Sequence, residues 1–460
     1  MAKLTPSQKA ALHKARQLAN SMPAATHDEI VYDIFDTAKN IAQKSVRKAP
    51  GLQRGWQEAL DRMLTSPLLG FPAMLVLLAL VFWLSIVGAE YPSQWLFTLF
   101  NAGERLLIKS SLMVGLPTWL HGFCIQGIYR STGWVIAVML PPMAIFFPLF
   151  TLLEDLGYLP RIAFNLDHLF RKVGGHGKQA LTMCMGFGCN AAGVIACRII
   201  ASPRERLVAI LTNTFAPCNG RFPTFFALAA IFLSGAQPGF QSSLLASICV
   251  ATLVLIGVAT TFLMTRLLTY TILKGVPSAF VLELPPYRPP QIKSIVIRSI
   301  FDRTIQVLFR ALVWAAPAGA LTWILANSYW GPSSLLALAA AQLDNTAKLL
   351  GLDGTILLAF CLGLPANEIV LPTAVMGYLS EGALIWPESL IELRRLLLAN
   401  GWTAKTAILV MLFSLLHFPC STTLWTILKE TGSRLWTAVA FLMPLTLACF
   451  VLYTLNLLLP

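Results

Sequence analysis

Two apolar segments of this chain are broken in the middle by residues that do not continue a helix. Gly186-Phe187-Gly188-Cys189-Asn190 interrupts one, and Gly363-Leu364-Pro365-Ala366-Asn367-Glu368 interrupts the other. Each is followed by an apolar segment with its own Pro-Cys break, at Pro217-Cys218 and at Pro419-Cys420. Hydrocarbon tolerates unwound backbone only where protein or a water-filled cavity surrounds it, because a bare N–H or C=O there costs several kcal/mol. Gly- or Pro-interrupted segments at corresponding places in two halves of a chain point to a transporter's binding site. The expectation is a chain that moves something small and polar across a membrane.

Composition agrees. Of 460 residues, 56% are hydrophobic and 12% charged, against about 25% charged in soluble domains. A soluble chain of this kind would have too little polar surface, which leaves an all-α polytopic membrane protein. Nine cysteines include no close CxxC pair, so neither a disulfide framework nor zinc-finger spacing is present. The polar N-terminal stretch shows no cleavable signal peptide.

Residues 1–66 are expected to form a cytoplasmic helical segment. Thr5-Pro6-Ser7-Gln8 and Thr26-His27-Asp28-Glu29 resemble helix-starting capping boxes, and Ile30, Ile34, Ala38 and Ile41 recur at helical spacing. Runs of spanning length follow near 68–88, 133–153, 206–233, 244–268, 308–329, 406–428 and 435–459, since about 20 residues cross about 30 Å of hydrocarbon. Residues 92–128 are weakly apolar and read as an external amphipathic excursion. The runs near 179–200 and 354–379 hold the Gly-rich breaks and read as re-entrant hairpins.

Charge supports this arrangement of about seven full spans and two hairpins. The expected inner segments carry 26 Lys and Arg, the outer ones 7, and Arg221 lies inside a span. That split obeys the positive-inside rule with the N-terminus in the cytoplasm. The net charge of +13 is then anchoring at one face, and nucleic acid is not a partner. The first hairpin enters from inside and the second from outside, which makes an inverted repeat. The divisions are 1–66, then 67–132 (first span and excursion), 133–270 (first repeat), 271–307 (cytoplasmic connector) and 308–460 (second repeat and last span).

Several stretches resemble the ferrous iron transporter B (FeoB) family. They are Leu153-Glu154-Asp155-Leu156-Gly157-Tyr158 with Arg161-Ile162-Ala163-Phe164, then Gly186–Asn190, Glu283-Leu284-Pro285-Pro286-Tyr287-Arg288, Gly363–Glu368, and Pro419-Cys420 with Glu430-Thr431-Gly432-Ser433. The resemblance covers about residues 27–458 in order and implies that family's Gate architecture, with two Gate units and hairpins similar to those of concentrative nucleoside transporters. The family normally carries an N-terminal GTPase domain. Here Gly174-Gly175-His176-Gly177-Lys178-Gln179 has neither the spacing nor the Ser/Thr of a phosphate-binding loop. Asn367 stands where the family usually has Lys, and Ala191-Ala192 where it has Val-Pro.

A divalent transition metal needs a few soft or anionic ligands at one depth. Cys189, Cys218 and Cys420 each sit in a break, where they serve either as ligands or as packing. Asn190 and Asn367 follow breaks, and an amide there can coordinate a metal or cap an opened helix. Glu368 is the sole carboxylate of the second broken run, where it can bind a cation, exchange protons or pair with Arg221; intramembrane charges are costly and functional by default. Glu154 and Asp155 end a span and offer either a cytoplasmic exit site or a solvated helix end. His417 reads as a ligand or as hydrogen-bonded packing. Cys184, Cys197, Cys249, Cys361, Cys449, Met183 and Met185 read as packing.

The function expected is an inner-membrane permease for ferrous iron or a related divalent metal, with no intrinsic GTPase, no enzymatic activity and no permanently bound cofactor. The partners are the bilayer, the ion, and a separate GTPase or small accessory protein; a homo-oligomer is compatible. The alternatives are a carrier of nucleosides or another small organic solute on the same scaffold, and a non-transporting membrane regulator. Tips that offer cysteines, with Phe187 as the main aromatic, favour the metal.

Overall fold

The protein is described from a computed structural model, which covers residues 55–232, 240–275, 290–379, 382 and 390–459, with isolated residues between 33 and 45. The two N-terminal capping boxes and the Glu283–Arg288 connector lie outside the described residues.

Helices make up nearly all of the described chain. A short helix, α1 (Gly55–Leu64), leads into α2 (Pro67–Val114). At 48 residues and 1.5 Å per residue, α2 is about 72 Å long. A left-handed turn at Gly115 (φ 71°) reverses the chain, and α3 (Thr118–Asp155) runs back along α2. The residues of the expected excursion over 92–128 are helical up to Val114 and again from Thr118. Pro72 and Pro92 sit inside α2, as apolar helices permit when neighbours absorb the lost hydrogen bond. The pair is tied by Glu104–Arg130, with Nε–Oε1 at 3.0 Å, and by Ser111 Oγ to His121 Nδ1 at 2.6 Å.

Next come α4 (Tyr158–Lys172) and the first hairpin, α5 (Gln179–Gly188) and α6 (Asn190–Ala196), which pack on each other across Cys189. The expected span near 206–233 is divided: α7 (Pro203–Thr212) and α8 (Phe222–Phe232) are separated by two short 3-10 turns. Its proline and glycine account for the gap. Two long helices follow, α9 (Phe240–Tyr270) and α10 (Ile292–Asn327).

The second half begins with a two-residue ladder, Tyr329–Trp330 against Ser333–Ser334. Then α11 (Leu335–Leu349) meets α12 (Gly354–Leu362) at 108°. With α13 (Val370–Leu379), α12 forms the second hairpin around Gly363–Ala366. After α14 (Leu390–Ala399) come α15 (Ala404–Leu416) and α16 (Ser421–Thr431), the interrupted span of this half, and the last helix, α17 (Arg434–Leu458). Among the described residues six helices are long and apolar enough to span a membrane, or seven if the bent α11–α12 pair counts as one. The chain is an all-α polytopic membrane protein. In each half a hairpin precedes an interrupted span.

Candidate metal centre

Helix termini explain why the four breaks are chemically useful. Opening a helix frees N–H groups on one side and carbonyls on the other. Cys189 precedes α6 and Cys420 precedes α16, both with extended backbone. Cys218 precedes the turn Asn219–Arg221 that leads into α8, and Ala366 precedes Asn367–Ile369 that leads into α13. Three thiols thus stand at the N-terminal ends of helical segments. The thiolate is the metal-binding form of cysteine.

The four breaks meet. Cys189, Cys218 and Cys420 line one cavity of about 30 Å³, together with Asn190, Asn367 and Glu368. A water needs about 10–15 Å³ of such volume, whereas small-molecule sites run to several hundred. The space is that of an ion with at most a water. Met139 and Met143 of α3 also line it, as do Thr422 and Thr423 of α16. These four were missed by sequence reasoning. Pro141-Pro142 inside an apolar run was the one available hint for α3, and the threonines resemble ordinary helix residues.

The polar atoms of the cavity are oxygen- and sulfur-rich. Cys420 Sγ lies 3.2 Å from Thr423 Oγ1, and Asn367 Nδ2 donates to Cys218 Sγ at 3.8 Å. Asn367 Oδ1 and Thr422 Oγ1 are buried without a hydrogen-bond partner. Unpartnered buried oxygens cost on the order of 1–3 kcal/mol each, and a cation would satisfy both. The Asn190 amide instead holds the hairpin: its Nδ2 donates to Gly186 O and Ala216 O, both at 3.0 Å. Among the described residues, no three Cys, His, Asp or Glu side chains lie close enough together to hold one ion. The thiols ring the cavity and do not close on its centre.

Arg221 does not pair with Glu368. It is fully buried and donates to Leu415 O at 2.7 Å, with Thr214 O and His417 O at 3.5 Å. The guanidinium sits where α7 and α15 end, on the carbonyls that the breaks leave free, and the negative ends of both helix dipoles face it. Glu368 is only part-buried, because it borders the cavity. Gly220 makes room for it: a Cβ there would lie 2.2 Å from Glu368 Oε1.

Other candidates lie elsewhere. Glu154 and Asp155 are exposed at the end of α3, about 16 Å along the axis from Met143 at 1.5 Å per residue. Asp155 Oδ2 accepts from Gln291 N at 3.2 Å. Both lie outside the cavity, at the helix end that reads in sequence as a cytoplasmic exit site or a solvated end. His417 packs among Phe360, Phe413 and Phe418, its Nδ1 2.9 Å from Ser414 O; it is not a cavity residue. Cys184 and Cys197 are buried in apolar clusters.

The family description "Gate: Nucleoside recognition" matches residues 136–232 and 308–434, and "Ferrous iron transport protein B C terminus" matches residues 250–302. The chain is 30% identical over 403 residues to an Fe(2+) transporter FeoB of Staphylococcus aureus strain MSSA476, an alignment covering 85% of this chain and 57% of that protein. The chain belongs to the FeoB family. An Fe(2+) transporter FeoB of Leptospira biflexa is 27% identical, with 90% of this chain and 61% of that protein covered. A Porphyromonas gingivalis protein named as a fusion of Fe(2+) transport protein A with Fe(2+) transporter FeoB is 26% identical, with 86% and 50% covered. This FeoB-family chain thus spans between half and three-fifths of the length of these relatives. No solved structure matches it. The matched segments include all four breaks that line the cavity.

Proposed function

We propose that the chain is a permease for ferrous iron or a related divalent transition metal. The observation that carries this reading is the 30 Å³ cavity ringed by three thiols, a carboxylate and two unpartnered oxygens. Thiolate with some oxygen suits Fe(II) and its neighbours better than Mg²⁺ or Ca²⁺, which prefer oxygen alone. The thiol-lined cavity by itself is too small for a nucleoside.

Binding would draw the hairpin tips and the Pro-Cys breaks together, since the donors ring the space without converging. Cys189, Cys218 and Cys420 would supply soft ligands, Glu368 the charge, and Asn367 and Thr422 the oxygens. Arg221 stays on the backbone carbonyls and keeps its charge off the ion. Alternating access would then be a movement of the two halves around this site. The same reading puts the N-terminus in the cytoplasm of an inner-membrane protein, on the basis of the Lys/Arg asymmetry. It needs no enzymatic step and no resident cofactor. Energy coupling through a GTPase fits the family, and the Porphyromonas fusion partner favours a small accessory protein.

The test is reconstitution into liposomes with an internal metal-sensing dye, comparing divalent ions with and without a proton gradient. Metal entry that depends on the protein and on Cys189 is expected. Equal dye response with protein-free liposomes would remove the reading.

A further inference from the structure

A cavity of 30 Å³ enclosed by four breaks needs a way in. A second cavity, of about 340 Å³, adjoins it. The two share Met139, Met143, Gly220 and Glu368 as wall residues. The larger space lies between α2, α3 and the start of α8, and Glu90 and Ser93 of α2 border it. Glu90 directly follows the apolar run 68–89, where an ionisable group is expensive unless it faces water or protein. Glu90 is exposed and meets that condition, and it and Glu368 are the two charged side chains on an otherwise mostly apolar wall.

From these contacts we infer that the larger cavity is the access vestibule of the metal site, with Glu90 as the positioning carboxylate at its wall and Glu368 as the gate between the two spaces. The inference rests on the permease reading and deepens it by giving the ion a route. A hydrated divalent cation is attracted into the vestibule by Glu90 and passes Met139 and Met143. At Glu368 it exchanges water for protein ligands. The carboxylate belongs to both cavities, so one side-chain movement opens or closes the passage. Gly220 lets the carboxylate reach this position, because a Cβ there would lie 2.2 Å from Glu368 Oε1. Beyond the gate wait the two oxygens that have no partner in the closed state, Asn367 Oδ1 and Thr422 Oγ1.

The test uses the full chain in liposomes, with ferrous ion as the transported probe. Ser93→Cys places a thiol in the vestibule, and Ser110→Cys places one on the same helix about 25 Å away at 1.5 Å per residue. Each is treated with a cationic, membrane-impermeant thiosulfonate, with wild type treated alongside as the baseline for the native cysteines. Modification of Ser93→Cys is expected to cut uptake at least tenfold relative to treated wild type, and Mn²⁺ is expected to slow that modification. Ser110→Cys is expected to stay at the wild-type level. Glu90→Gln is expected to raise the ion concentration for half-maximal uptake several-fold at little change in the maximal rate. A Ser93→Cys protein that resists modification, or that is modified and transports normally, overturns the route while leaving the permease reading standing. Unmodified wild type that moves no metal overturns both.

Discussion

The two hairpins occupy corresponding places and are built differently. The first tip reads Gly188-Cys189-Asn190-Ala191 and the second Pro365-Ala366-Asn367-Glu368. A thiol in one faces an alanine in the other, and an alanine in one faces a carboxylate in the other. The first hairpin is clamped from within. Asn213 lies between its two arms and donates to Asn190 O at 3.1 Å, and only glycine fits at 186 and 193, where a Cβ would come within 2.7 Å and 2.5 Å of the Asn213 amide. The second hairpin is held at its ends. Ser421 N donates to Leu364 O at 2.8 Å near the tip, and at the base Tyr378 bonds Asp353 and accepts from Trp402 Nε1 at 2.9 Å. One half therefore offers a clamped soft ligand, and the other a charged one at the cavity wall.

If that division of labour holds, the largest effect belongs to the thiols. Cys189→Ser and Cys420→Ser are each expected to reduce metal uptake by more than the roughly 10–100-fold typical of changes around a metal's ligands, at unchanged expression. Normal uptake in both would break the comparison at its first half. Glu368→Gln should come next and should impair uptake more than Cys249→Ala, since Cys249 is outside the cavity; the reverse order would deny the second hairpin its charge. Arg221→Met tests the bridge between halves. Losing a charged donor to buried carbonyls costs about 1.5–3 kcal/mol per bond, so the midpoint of thermal unfolding in detergent should fall. An unchanged midpoint would mean that the freed carbonyls find other partners.

Smaller effects sharpen the same contrast. Gly193→Ala pushes a methyl into the Asn213 amide, and overpacking of this kind costs about 1–3 kcal/mol. It should reduce stability and loosen the first tip, which faster thiol modification of Cys189 would report. Ala366→Cys should be tolerated in folding and should tighten metal binding in a titration of the purified protein, because it gives the second tip the ligand it lacks. Weaker binding would show that the second hairpin is selected against a thiol.

Much of the site was legible because breaks in membrane helices are rare and conspicuous. Cys189, Cys218, Cys420, Asn190, Asn367 and Glu368 were all found from Gly, Pro and Asn in the wrong place for a helix, and all line one cavity. Residues on unbroken helices were not found. Met139, Met143 and Thr422 look like any other apolar-helix residues, and only a neighbour decides whether such a side chain faces lipid, core or cavity. Glu154 and Asp155 are conspicuous in sequence as adjacent carboxylates at a helix end, and they lie away from the cavity in space. Within 92–128, Pro92 and Gly103 stay inside α2 and the chain turns at Gly115, because Gly and Pro inside an apolar helix are weak breakers once a second helix packs alongside.

The amino-acid sequence by itself determined that the chain spans a membrane, that its backbone must open in four places, and that thiols and one carboxylate stand at those openings, since each follows from the cost of bare polar groups in hydrocarbon. Tertiary structure decided which carbonyls receive Arg221, that Glu368 stands between two cavities instead of in an ion pair, and which oxygens are left waiting. Those choices depend on distances between segments that are remote in sequence, and no local pattern encodes them.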